Sequence, residues 1–92
     1  MADFSITQQH TLSRDQARDA AQKIADQMAA KYDMQIGWEG DVLTFSRSGI
    51  DGTLAIERSQ AVLDITLDFM FRVFTSQIEE KLVRNMAKVF TA

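Results

Sequence analysis

The feature that most constrains this chain is a change of hydrophobic period at Met34. From Met34 to Leu67, apolar residues recur at every second position, which is the period of a β-strand with one buried face. Glu39-Gly40, Ser48-Gly49 and Arg58-Ser59 interrupt the alternation. A glycine in the second loop position suits the positive φ of a tight hairpin turn. The pattern therefore predicts four consecutive strands joined by hairpins.

The register of this meander follows by counting if each loop has two residues. Leu43 is then expected opposite Leu54, Leu54 opposite Leu63, and Ile36 opposite Leu43. Apolar residues oppose one another on a single face, and a slip of one residue would destroy this match.

A short strand and a helix are expected before the meander. Residues 3–9 alternate, with Phe4 and Ile6 on one side. Ser13 and Gln16 can then form a capping box, so a helix should begin there and run to about Lys31. The first strand can pair with either edge of the meander, and we expect it at the edge strand that begins near Ala61.

Helical spacing returns after the meander, from about Met70 to Phe90. The predicted inward stripe consists of Phe71, Phe74, Ile78, Leu82, Met86 and Val89. The order β-α-β-β-β-β-α predicts an α+β fold, in which two helices cover one face of an antiparallel sheet. With 92 residues, we expect one domain spanning 1–92.

Composition excludes several classes of function. The chain has no cysteine and a single histidine, so thiolate sites and two-histidine metal sites are absent, and we expect no metal or other cofactor. Ten basic residues against thirteen acidic ones, with a net charge of −3, argue against a nucleic-acid partner.

We expect neither a transmembrane segment nor a targeting signal from this sequence. The longest apolar-rich stretch, Ile65–Phe74, is interrupted by Asp68 and Arg72 and is too short for a transmembrane segment. The N-terminus lacks a basic region followed by an apolar run, so we expect no signal peptide. Together with the absence of cysteine, this favours a cytoplasmic location.

No arrangement of residues resembles an active site, and we expect the protein not to be an enzyme. Asp51, Glu57, Asp64 and Asp68 are predicted on the sheet face opposite the helices, where solvated carboxylates are more common than an acid–base pair. The same face carries a small apolar row that could support a weak homodimer, formed by Val42, Ala55 and Val62.

Gly52 is unusual because glycine weakens the interior of a strand. The predicted register places it between Phe45 and Ile65. Either an aromatic ring covers its bare backbone, or the missing side chain leaves room for a ligand between sheet and helix. In the second case Phe45, Gly52, Ile65 and Phe74 would line an apolar pocket.

The start of the last helix is apolar on nearly all sides. Phe71 and Phe74 are expected to point inward, whereas Met70 and Val73 point away from the core stripe. Met70 and Val73 are therefore candidates for an apolar contact with a partner or surface.

Several separated residues carry a resemblance to a known family. They are His10-Thr11-Leu12-Ser13, Ala17-Arg18, Trp38-Glu39-Gly40-Asp41 followed by Leu43 and Phe45, Gly49-Ile50-Asp51-Gly52, and Ile78-Glu79 in the closing helix. With them the chain resembles the polyhydroxyalkanoic acid system protein family, small bacterial proteins associated with the storage polyester polyhydroxyalkanoate. His10, Trp38 and Gly52 match its most recognisable positions, to which we assign no role. The element order also resembles a reduced helix-grip fold.

The resemblance implies a non-enzymatic accessory or granule-associated protein of polyhydroxyalkanoate metabolism, whose partner is the polyester surface or a granule protein. The alternative is a small carrier that holds an acyl chain or another apolar ligand between the sheet and the C-terminal helix. A cavity lined by Phe45, Ile65 and Phe74 would favour the carrier, whereas an exposed apolar patch near Met70 would favour the granule surface.

Overall fold

In the computed structural model, which describes residues 3–90, two helices lie on one face of a five-stranded antiparallel sheet. The elements in chain order are β1 (Phe4–Gln9), α1 (Arg14–Tyr32), β2 (Gln35–Glu39), β3 (Val42–Arg47), β4 (Ile50–Ile56), β5 (Gln60–Leu67), a 3-10 turn (Arg72–Phe74) and α2 (Thr75–Phe90). The predicted α+β class and element order are confirmed.

The sheet has the strand order β1-β5-β4-β3-β2, so the first strand pairs with β5, as predicted. The registers of the second and third hairpins are also as predicted, with Leu54 opposite both Leu43 and Leu63. The predicted register of the first hairpin is wrong by two residues, because Ile36 pairs with Phe45 and Trp38 with Leu43.

The physical reason for this shift is the position of the first turn. Gly40 has a φ of +60°, and Glu39 pairs with Val42, so the loop is Gly40-Asp41 rather than Glu39-Gly40. A shift of two residues leaves every side chain on its expected face, because side chains alternate with a period of two.

Helix α1 begins at the predicted capping box. The Gln16 amide N–H donates to Ser13 Oγ, and the Ser13 N–H donates to Gln16 Oε1. The helix lies over β2, β3 and β4 on a mainly alanine face, whose buried residues are Ala17, Ala20, Ala21, Ile24, Ala25 and Met28. Small side chains allow the helix backbone to approach the sheet closely. Helix α2 packs against α1 and β1 and completes the same core.

The last helix begins later than its sequence pattern suggests. Regular α-helix starts at Thr75 rather than near Met70, and residues 68–74 form an irregular connector between β5 and α2. Phe74 is consequently 48% exposed, so its predicted place in the inward stripe is wrong. The buried face of α2 consists of Ile78, Leu82, Met86 and Phe90.

Candidate functional site

Asp68 makes the hydrogen bonds that define the turn of the connector, residues 68–74. One Asp68 carboxylate oxygen accepts a hydrogen bond from the Met70 N–H at 2.9 Å, and the Asp68 carbonyl accepts from Phe71 and Arg72 at 3.1 Å each. The Asp68 N–H donates to the Gly49 carbonyl at 2.8 Å. Such a side-chain turn offers the backbone an alternative to continuing as strand or helix. The connector is therefore an ordered turn.

Arg72 ties the other end of the connector to the sheet. Its Nε donates to the Leu67 carbonyl at 3.2 Å and lies 3.6 Å from Asp3 Oδ1. Asp3 Oδ2 in turn accepts from the Leu67 N–H at 2.6 Å. The Arg72 carbonyl accepts from Thr75 Oγ1 at 2.7 Å, at the point where α2 begins.

The side chain of Phe71 packs the connector against the β3–β4 turn. Its ring lies against the β3–β4 turn, so closely that a Cβ added to Gly49 would come within 2.8 Å of two ring carbons. Gly49 also has a φ of +95°, which favours glycine. The guanidinium carbon of Arg47 lies 5.3 Å from the centroid of the Phe71 ring, within cation–π range.

With the backbone fixed in this way, the connector directs four large apolar side chains into solvent. Phe69 is 88% exposed, Met70 72%, Val73 80% and Phe74 48%. These four residues are termed the apolar patch below. Neighbouring exposed apolar side chains of this size are characteristic of contacts with another protein or an apolar surface.

The structure places Met70 and Val73 at the exposed surface of the connector, and it also exposes Phe69 and Phe74, which sequence reasoning missed. Both omissions come from treating residues from Met70 onward as helix. The available signal was Asp68, a turn-forming residue directly after the last strand position and two residues before Met70.

His10 is buried between three elements and is fully hydrogen-bonded. The Leu12 N–H donates to Nδ1 at 3.1 Å, so Nε2 carries the proton and donates to the Glu57 carbonyl at 3.1 Å. The imidazole lies 5.6 Å, between ring centroids, from Phe90 near the end of α2. His10 therefore joins the β1–α1 loop to the β4–β5 turn and to α2.

Trp38 links β2 to α1 through a hydrogen bond and a cation–π contact. Its indole N–H donates to Gln22 Oε1 at 2.9 Å, and the Arg18 guanidinium carbon lies 4.1 Å from its ring centroid. Arg18 and Arg14 both contact Asp41 Oδ1, at 3.2 and 2.8 Å. The hydrogen bond from Arg14, aided by Arg18, lowers the pKa of Asp41 although partial desolvation opposes it.

The space above Gly52 is filled. A Cβ added to Gly52 would lie 2.3 Å from Phe45 Cε2 and 2.9 Å from Ile65 Cδ1, and both neighbouring side chains are fully buried. The aromatic-cover interpretation of Gly52 is thus correct. The predicted pocket of Phe45, Gly52, Ile65 and Phe74 is wrong, because the first three residues pack together and Phe74 lies at the surface.

The sheet face opposite the helices is polar. Asp51 lies opposite Thr66, and Asp64 lies opposite Thr53 and accepts a hydrogen bond from the Ser5 hydroxyl. Asp68, predicted on this face, instead stabilises the connector turn, because β5 ends at Leu67. Within residues 3–90, no group of three potential metal-binding side chains comes together.

The apolar row of this face is present. Ala55 lies opposite both Val42 and Val62, and all three side chains are partly exposed. Self-association through this row stays a prediction.

These observations define a class: a small α+β domain with an ordered, exposed apolar connector. A family model described as "Putative polyhydroxyalkanoic acid system protein" matches residues 4–90. The chain belongs to this polyhydroxyalkanoic acid system family. Searches of curated proteins and of solved structures gave no match. In the described part of the chain, neither helix is long and apolar enough to span a membrane.

Proposed function

We propose that this protein is a non-enzymatic accessory protein of polyhydroxyalkanoate metabolism that binds the surface of the polyester granule in the cytoplasm. The family supports the connection with polyhydroxyalkanoate. The observation that supports attachment to a surface is the apolar patch, whose four side chains project from a hydrogen-bonded turn.

The physical argument starts from charge. With a net charge of −3, the protein gains little from general electrostatic attraction to a surface, so contact with an apolar polyester must come from removing apolar area from water. Each side chain of this size contributes about 1.5–3 kcal/mol when fully withdrawn from water. Because the connector backbone is already hydrogen-bonded, binding requires little further ordering of the backbone.

The absence of catalysis is part of the same proposal. His10, Trp38 and Gly52, the recognisable family positions, each have a packing role in this fold. His10 has both ring nitrogens engaged by backbone groups, and Trp38 joins a strand to a helix. These contacts give each of the three residues a role in stabilising the fold.

The test is co-sedimentation of the purified protein with isolated polyhydroxyalkanoate granules. A Phe69→Ser, Met70→Ser, Val73→Ser variant should bind at least tenfold more weakly, since burying a single side chain of this kind contributes more than the ~1.4 kcal/mol of a tenfold change. The matched control is Val83→Ser on α2, because Val83 is 44% exposed and lies outside the patch. It should bind as the wild type does.

Binding should persist at high salt, because screening weakens only electrostatic contacts. The melting temperature of the triple variant should stay close to that of the wild type, since these side chains contribute little to the core. Unchanged binding of the triple variant contradicts the proposal. Binding that disappears at moderate salt also contradicts it and indicates a charged granule protein as the partner.

A further inference from the structure

Methionine is the residue of this chain that mild oxidants attack most readily, because the chain contains no cysteine. Four of its five methionines lie within the described residues 3–90. Three of these are buried in the core, where Met28 is 5%, Met34 7% and Met86 0% exposed. Met70 is 72% exposed, so its side chain is the one among these four that lies open to a dissolved oxidant.

Met70 belongs to the apolar patch, and the fold uses its backbone rather than its side chain. Its N–H donates to an Asp68 carboxylate oxygen at 2.9 Å, which forms part of the connector turn. Its side chain lies outside the hydrophobic core and is not among the partly buried residues packed against it. A chemical change at the sulfur therefore alters the surface of the patch and leaves the hydrogen-bonded turn in place.

We propose that Met70 is a site of reversible oxidation by peroxide that releases the protein from the granule. Hydrogen peroxide transfers one oxygen atom to the thioether sulfur, its O–O bond breaks and water leaves, so the sulfur loses two electrons and the peroxide gains them. Methionine sulfoxide reductases restore the thioether, one enzyme for each sulfoxide epimer. This inference rests on the proposed function, because oxidation at Met70 releases the protein only if the patch contacts the granule.

The chemistry of the polyester explains why the sulfoxide would weaken the contact. A polyester carries ester carbonyls, which are hydrogen-bond acceptors, but no donors along its chain. A sulfoxide oxygen that enters the contact therefore loses its hydrogen bonds with water and gains none in return. The unmodified thioether is apolar and polarizable, and it enters the same contact without this penalty.

The experiment compares co-sedimentation with isolated polyhydroxyalkanoate granules before and after treatment of the purified protein with dilute hydrogen peroxide. Mass spectrometry of proteolytic fragments locates the added oxygen. In the wild type, oxygen should appear at Met70 before it appears at Met28, Met34 or Met86, and granule binding should weaken at least about fivefold. The melting temperature should stay close to that of the untreated protein, and the two sulfoxide reductases together should restore binding.

Two variants assign the effect to this position, each judged by the ratio of its own binding before and after treatment. Met70→Leu retains the other methionines and should show no change on treatment. The matched control is Met70→Leu, Val83→Met, which places the exposed thioether on α2 outside the patch, at a position that is 44% exposed. It should be oxidised as readily as the wild type, and its binding should also stay unchanged.

The outcomes separate this proposal from the proposed function. If the untreated wild type does not bind granules, the proposed function fails and this inference fails with it. If the untreated wild type binds and its form oxidised at Met70 binds equally well, only the oxidation proposal is overturned. It is also overturned if Met70→Leu loses as much binding on treatment as the wild type does, since the effect then arises elsewhere in the chain.

Discussion

Replacing Gly52 with alanine tests whether this residue serves packing or leaves space for a ligand. The added Cβ would lie 2.3 Å from Phe45 Cε2 and 2.6 Å from Cζ, far inside the ~3.5–4.0 Å of an ordinary carbon contact. The Phe45 ring is buried and cannot swing into solvent. Overpacking of this kind costs about 1–3 kcal/mol, out of a total stability on the order of 5–15 kcal/mol.

Gly37 provides a matched control within the same sheet. It also lies in a strand, but a Cβ there would meet Thr44 Oγ1 at 3.5 Å, an ordinary contact. Gly37→Ala should therefore be neutral or slightly stabilising, because glycine is about 0.5–1 kcal/mol less favourable than alanine inside a strand. The assay is urea unfolding, followed by circular dichroism and by the fluorescence of Trp38, the single tryptophan.

A second substitution makes the test specific to the ring. Phe45→Leu shortens the side chain that covers Gly52, so the double variant with Gly52→Ala should lose about 0.5–3 kcal/mol less than the sum of the two single losses. The reasoning is refuted if Gly52→Ala unfolds at the same urea concentration as Gly37→Ala. It is equally refuted if the two losses simply add.

Three further predictions concern the core and the loops. Leu54→Ala should lower the free energy of unfolding in urea by about 2–5 kcal/mol, because the side chain is fully buried at the centre of the sheet. A loss below about 0.5 kcal/mol would contradict the register. His10→Ala should lower the free energy of unfolding by about 1.5–4 kcal/mol, because it removes two hydrogen bonds and the contact with Phe90. Granule binding of the folded fraction should stay unchanged. Loss of binding without loss of stability would contradict a structural role. The hydrogen bond from Arg14 lowers the pKa of Asp41 from its ordinary value of 3.8. The ionised Asp41 therefore stabilises the fold above about pH 4, and this contribution is lost as the pH falls through the folded-state pKa. The stability deficit of Asp41→Asn should therefore shrink in acid, and a deficit that stays constant to the lowest pH at which the protein folds would contradict the ion-pair account.

The sheet was largely predictable because its determinants are local. Alternation assigns each residue to a face, and Gly49 marks the second turn without ambiguity. The first turn has Glu39, Gly40 and Asp41 in succession, so the glycine alone does not decide which two residues form the loop. The resulting error of two residues changed the partners of Ile36 without changing its face.

The candidate site was less predictable because it depends on contacts between distant parts of the chain. The connector turns where the Asp68 carboxylate captures the Met70 N–H, whereas apolar spacing alone allows the helix to begin there.

The most direct test of the account is the granule-bound fraction of the protein in polyhydroxyalkanoate-producing cells. Wild type, the Phe69→Ser, Met70→Ser, Val73→Ser variant and Val83→Ser are expressed at equal levels, and granules are separated from the soluble fraction. The account predicts that wild type and Val83→Ser are enriched on granules, whereas the triple variant remains folded and at least tenfold less enriched. Equal enrichment of all three proteins, or no enrichment of the wild type, would contradict it.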